Sequence, residues 1–200
     1  MHSGQICMST ERILVHQSIM EPFTEALKSA VDNIFQKSGD APILVASMGV
    51  DKNKQLLQDA TSKGAKLVYG DMDAKENSAT RMRPIIVGDV KKDMDLYYTE
   101  SFGPTVTLLS VSSDEEALKI ANDTEYGLSG AVFTKDLTRG LSLAKRIESG
   151  AIHINSMSVH DEPTLPHGGT KKSGFGRFNA NAGLDEFVRT KTITFQGLNL

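Results

Sequence analysis

The chain has 200 residues, 39% hydrophobic and 24% charged, with 22 basic against 25 acidic side chains and a net charge of -3. That balance excludes a disordered chain, and charges spread without a basic face argue against a nucleic-acid binder. One cysteine rules out an internal disulfide framework, no apolar run is long enough to span a bilayer, and the first residues lack a signal-peptide pattern, so the expected compartment is the cytosol.

In chain order, Arg12-Ile-Leu-Val15 reads as a first strand. Ser18 with Glu21 forms a capping-box pattern that opens a helix with an apolar stripe of Phe23, Leu27, Ala30, Val31 and Ile34, expected to lie on a sheet. A second helix is predicted from about Lys52 through Leu56, Leu57 and Ala60 to Gly64. Short apolar runs follow at Ala65 to Tyr69, Pro84 to Val87 and Val106 to Val111, with a polar surface loop predicted from Asp71 to Arg81. Ser113 with Glu116 opens another helix. Ala131 to Phe133 reads as a strand, Asp136 to a stop at Gly150 as a helix, and Ala151 to Ile154 as a strand. From Asn155 to Ala182 the composition predicts a long ordered loop, and Val188 to Phe195 alternates as a terminal strand would. Strands alternating with helices imply an α/β fold, a mainly parallel open sheet with flanking helices.

Three islands carry chemistry. Cys7 follows Gly4-Gln5-Ile6; if a short helical turn begins there, backbone N–H groups and the helix dipole favour a thiolate nucleophile. Taken alone, a lone cysteine is more often a small buried hydrophobe. Glu100-Ser101-Phe102-Gly103-Pro104 puts an acid and a ring on a tight turn before a buried strand, where α/β folds bind ligands; an ordinary turn with a solvated acid is the equal alternative. The third, Pro166 to Arg177, is glycine-rich but fails as a phosphate loop, because Lys171 rather than Gly precedes Lys172 and no strand runs directly into a helix there. His153, His160 and His167, with Asp161 and Glu162, lack a spacing that fixes them round one point, so no metal site is expected.

Read together, Gly4-Gln-Ile-Cys7 with Arg12, Glu100 to Pro104, Asn122 to Leu128, Gly150 to Asn155 and His167 to Arg177 resemble the ordered signature blocks of the NAD(P)-dependent aldehyde dehydrogenase superfamily. Val159 to Pro163 is most similar to the branch that oxidises aromatic aldehydes such as salicylaldehyde, vanillin or benzaldehyde. The resemblance implies that Cys7 attacks the aldehyde and that its backbone N–H helps hold the oxyanion. It implies that Glu100 binds the nicotinamide-side ribose, that Phe102 packs near the nicotinamide of NAD or NADP, and that Asn155 supports the active site. Ile6, Met8, Val159, His160 and His167 are then the substrate-pocket candidates, His167 standing where the family usually has phenylalanine.

The resemblance further implies a catalytic domain over residues 1–183 and an oligomerisation tail over 184–200 that joins a neighbouring subunit's sheet, either in a homo-oligomer or with full-length relatives. The dinucleotide-binding domain and the general base that family members carry ahead of the cysteine are expected to be absent, leaving an acid such as Glu11 as the candidate base. Two alternatives stand beside the dehydrogenase: a truncated, catalytically incompetent member acting only by assembly, and a thiol hydrolase pairing Cys7 with a histidine.

Overall fold

The computed structural model describes residues 1–35 and 39–197. Its centre is a four-stranded sheet built from β1 (Arg12–His16), β2 (Lys66–Tyr69), β3 (Ile85–Gly88) and β4 (Thr105–Val111), in the order β1-β4-β3-β2. Both β1 and β3 run parallel to β4, with Arg12 opposite Thr107 and Ile85 opposite Thr105, and edge strand β2 is antiparallel to β3. A second, two-stranded sheet pairs β5 (Ser129–Val132) with β6 (Ala151–Ile154) in parallel. The mainly parallel α/β class is as expected, but its strands divide between two sheets.

Side chains alternate across a strand, and β3 shows why both faces need a cover. All four of its residues are buried. Ile85 and Val87 face a core with Val50, Leu56, Leu57 and Ala60 of α2 (Ser47–Ser62), whereas Ile86 faces the other way, with Val15 and Leu108 against Phe23, Leu27 and Val31 of α1 (Met20–Phe35). Of the predicted stripe of α1, Phe23, Leu27 and Val31 pack on the sheet, whereas Ala30 is exposed and Ile34 is 64% exposed. Sixteen helical residues span about 24 Å, and the five of β1 only about 17 Å, so the helix outruns the strand beneath it.

Helix α3 (Asp95–Tyr98) is a single turn, α4 (Asp114–Asn122) follows β4, and α5 (Leu137–Arg146) connects β5 to β6. The Ser113 hydroxyl accepts from the Glu116 N–H as predicted; the Glu116 carboxylate reaches one residue further back than a capping box requires, to the Ser112 N–H at 2.8 Å. The Ser18 box does not form as drawn. His16 Nδ1 takes both the Ser18 hydroxyl, at 2.7 Å, and the Ser18 N–H, so an imidazole replaces the serine as cap of a 3-10 turn that leads into α1. Helix α2 starts five residues before the predicted Lys52, and α5 ends at Arg146, short of Gly150.

The glycine-rich island is a close-packing device. A Cβ on Gly150 would lie 1.6 Å from the Gly168 carbonyl oxygen, so the loop runs backbone against backbone along the start of β6. Beyond α6 (Ala180–Asp185), the predicted strand Val188 to Phe195 pairs with no other strand among the described residues. A strand is defined by a neighbouring ladder, and this segment has none among the described residues. Phe187, Ile193 and Phe195 stand 78–91% exposed there.

Candidate active site

Cys7 lies on a tight turn in which the Ser9 N–H donates to the Ile6 carbonyl at 2.8 Å and the Ile6 N–H to Ser9 Oγ at 3.2 Å. This single turn replaces the helical turn expected at the cysteine, so no helix dipole acts on the thiol. The side chain is exposed rather than a buried hydrophobe, and among the described residues no acceptor takes its backbone N–H. That N–H is available to an incoming oxygen. Gln5 anchors the approach by accepting from the Val45 N–H at 2.9 Å, and buried Ser158 clamps the exit through its hydroxyl on the Met8 carbonyl at 2.8 Å. Val159 and His160 follow Ser158 directly in the chain.

The loop Glu100 to Gly103 lies against this turn. A Cβ on Gly4, whose φ is +78°, would fall 2.0 Å from the Gly103 carbonyl oxygen, so the two loops touch through bare backbone. Phe102 presents a 38% exposed ring from a left-handed backbone with φ of 46°, and Glu100 beside it is half-buried. Burial first, and the neighbouring Glu11 charge second, hold the Glu100 carboxyl above its ordinary value against the opposing pull of Lys52.

Glu11 is not a free base. One carboxylate oxygen accepts from the Ser101 N–H at 3.0 Å; the other accepts from the Phe102 N–H at 3.0 Å and lies 3.1 Å from the Ser101 hydroxyl. Burial raises its proton affinity more than these donors and Lys52 lower it. Asn53 holds the same loop from the opposite side: fully buried on α2, it donates to the Ser101 carbonyl at 3.0 Å and the Gly49 carbonyl at 2.9 Å. Sequence reasoning missed Asn53, although a polar residue in the apolar stripe of Val50, Leu56, Leu57 and Ala60 was a signal.

Asn155, at φ of 56°, closes the end of the β5-β6 sheet by accepting from the Thr134 N–H at 2.8 Å and donating to the Thr134 carbonyl at 2.9 Å. His167 is 9% exposed; it bridges by backbone to Phe178, packs its ring on Phe178 at 5.0 Å, and has Asp161 at 3.8 Å. His160 pairs with Glu162 at 2.9 Å and packs on His153 at 5.0 Å. Among the described residues no histidine bonds to Cys7, and no group of three or more His, Cys, Asp or Glu is placed to hold a metal ion. Two hollows, of about 470 and 290 Å³, are lined by neither Cys7 nor Phe102, and the thiol itself is exposed.

Residues 1–193 match the aldehyde dehydrogenase family model. The chain belongs to the aldehyde dehydrogenase family. Vanillin dehydrogenase of Pseudomonas sp. strain HR199 is 39% identical over 98% of this chain, which spans 40% of that relative's length. The crystal structure of a salicylaldehyde dehydrogenase from Pseudomonas putida G7 complexed with salicylaldehyde superposes with a TM-score of 0.88 at 35% identity, over 99% of this chain and 41% of its own. Succinic semialdehyde dehydrogenase from Streptococcus pyogenes, solved with NADP+ as the cofactor, gives 0.88 at 31% identity, over 98% of this chain and 44% of its own. As a family member, this aldehyde dehydrogenase chain accounts for about two-fifths of the length of those relatives.

Proposed function

We propose that the chain supplies the nucleophilic half of an NAD(P)-dependent aldehyde dehydrogenase that converts an aromatic aldehyde to its acid. The observation that carries this reading is an exposed cysteine on a clamped turn, in backbone contact with a loop that offers a carboxyl and an aromatic ring. The aromatic preference rests on relatives named for vanillin and salicylaldehyde.

The Cys7 thiolate adds to the aldehyde carbon, forming a C–S bond while the carbonyl π pair moves onto oxygen. The Cys7 N–H donates to that oxyanion. When bound beside Glu100 and Phe102, NAD(P)+ would supply the two-electron acceptor for the hydrogen of the aldehyde carbon. The thioester left on Cys7 is cleaved by water, which releases the acid and a proton and restores the thiolate. Glu100 and Phe102 fit the nicotinamide end of the dinucleotide: a carboxyl for ribose hydroxyls beside a partly open ring. The remaining dinucleotide surface and the base for water come from the part of the enzyme that this chain does not span. Ile6, Met8, Val159, His160 and His167 are the candidates for the aldehyde pocket, and Asn155 supports the active site.

The exposed tail supports association with further copies or with longer relatives, and residues 184–200 serve as that arm while 1–183 form the catalytic domain. A catalytic thiol must stay reduced, which suits the cytosol. The test is aldehyde-dependent formation of reduced nicotinamide by the enzyme assembled with its dinucleotide-binding part. Cys7→Ala is expected to reduce turnover to background while dinucleotide affinity stays within about twofold. Undiminished turnover in Cys7→Ala would remove the thiol from the mechanism.

A further inference from the structure

The Glu11 carboxylate sits in a concavity made by two successive backbone N–H groups and a hydroxyl, the arrangement by which loops ordinarily hold a bound anion. Here a side chain of the same protein fills it. Glu11 is itself fixed, because its own carbonyl accepts from the Thr107 N–H at 2.9 Å and the Thr107 hydroxyl at 3.1 Å. Thr107 lies on β4, the strand into which the Glu100 to Pro104 loop runs. The carboxylate therefore bridges the residue just before β1, four positions after Cys7, to the loop just before β4.

Asn53 completes the grip. Glu11 takes the N–H groups of residues 101 and 102, and Asn53 gives to the carbonyl of 101, so the loop's peptides are held from both sides. Space is tight: a Cβ on Gly103 would fall 2.3 Å from Asn53 Nδ2. Phe102 stays left-handed, a conformation that bulky residues keep only when their surroundings over-determine it. The strained residue is the one that presents its ring.

We propose that Glu11 is a positioning residue that fixes the direction of Glu100 and Phe102 and holds them in register with the nucleophile turn. This rests on the dehydrogenase reading above for what those two side chains do. Without the carboxylate, two N–H groups lose their acceptor, Phe102 is free to relax toward negative φ, and the dinucleotide side of the site shifts. The Cys7 turn keeps its own clamps at Gln5, Ser9 and Ser158.

The experiment measures three quantities in the complete enzyme, this chain with its dinucleotide-binding part: the KM for NAD+, the KM for aldehyde, and the dinucleotide-independent hydrolysis of p-nitrophenyl acetate through Cys7. In Glu11→Ala the NAD+ KM is expected to rise about tenfold or more, with the other two within about twofold. Glu11→Gln keeps the volume but turns one acceptor into a donor, so it gives an intermediate rise and serves as the readout if the alanine variant does not fold. A merely structural role would raise both KM values and lower the hydrolysis rate together, and that result overturns the proposal. An unchanged NAD+ KM in both variants, with normal wild-type turnover, overturns it too. A wild-type enzyme that forms no reduced nicotinamide instead overturns the reading of the site itself.

Discussion

His153 shows how placement sets chemistry at a single residue. Among the described residues its buried Nε2 has no hydrogen-bond partner, and loss of water, reinforced by the nearby His160 and His167, holds its pKa below the ordinary 6.5. Between that depressed value and 6.5 the unfolded chain binds more protons than the folded one, so this histidine's contribution to stability is present above 6.5 and is lost as pH falls through the folded pKa. An NMR titration of the ring is expected to give a midpoint below 6.5; one at or above it would contradict the burial argument. Cys7, Glu100 and Phe102 could be singled out from sequence because each sits in a patterned island. Their juxtaposition could not, since it depends on Gly4 meeting Gly103 across nearly a hundred residues of chain. From sequence Glu11 is a candidate base; only its three donors from residues 101 and 102 show it as an anchor.

Among the elements, what was legible is what short-range physics decides. All six apolar runs form strands, since β-branched segments bounded by turns carry their own signal. The Ser113 cap forms because nothing nearby competes for its hydroxyl, whereas Ser18 loses its role to an imidazole two residues earlier. Ser113→Ala should therefore cost about 1 kcal/mol in chemical denaturation, and Ser18→Ala less, because the His16 ring still accepts the residue-18 N–H. Equal losses at the two serines would contradict this assignment of caps. The start of α2 at Ser47 escaped notice because its first turn, Ser47-Met-Gly-Val50, carries neither a side-chain cap nor an acidic residue. The terminal strand was illegible for another reason: alternation marks a segment able to pair, but not where its partner is.

At the scale of the whole molecule, burial is uneven. The four-stranded sheet is covered on both faces, yet no residue of α1, β5 or β6 is fully buried. Phe133, Leu137 and Leu141 near β5 and α5 are 73%, 61% and 48% exposed, and Phe175 is 98% exposed. Apolar surface of this kind on one polypeptide drives association. Light scattering of the chain alone is expected to report particles heavier than a monomer; a monodisperse monomer would show that these side chains tolerate water.

The bare backbone contact between Gly4 and Gly103 has a thermodynamic corollary. A ligand that displaces Gly103 against Gly4 therefore also changes the free energy of a ligand at the thiol, whereas a reorientation of Glu100 and Phe102 alone does not. Linkage makes the effect mutual: whatever factor a dinucleotide imposes on aldehyde binding, the aldehyde must impose on the dinucleotide. Two glycines with no side chain to offer thereby make any coupling between the two substrates a property of the pair of loops rather than of either alone.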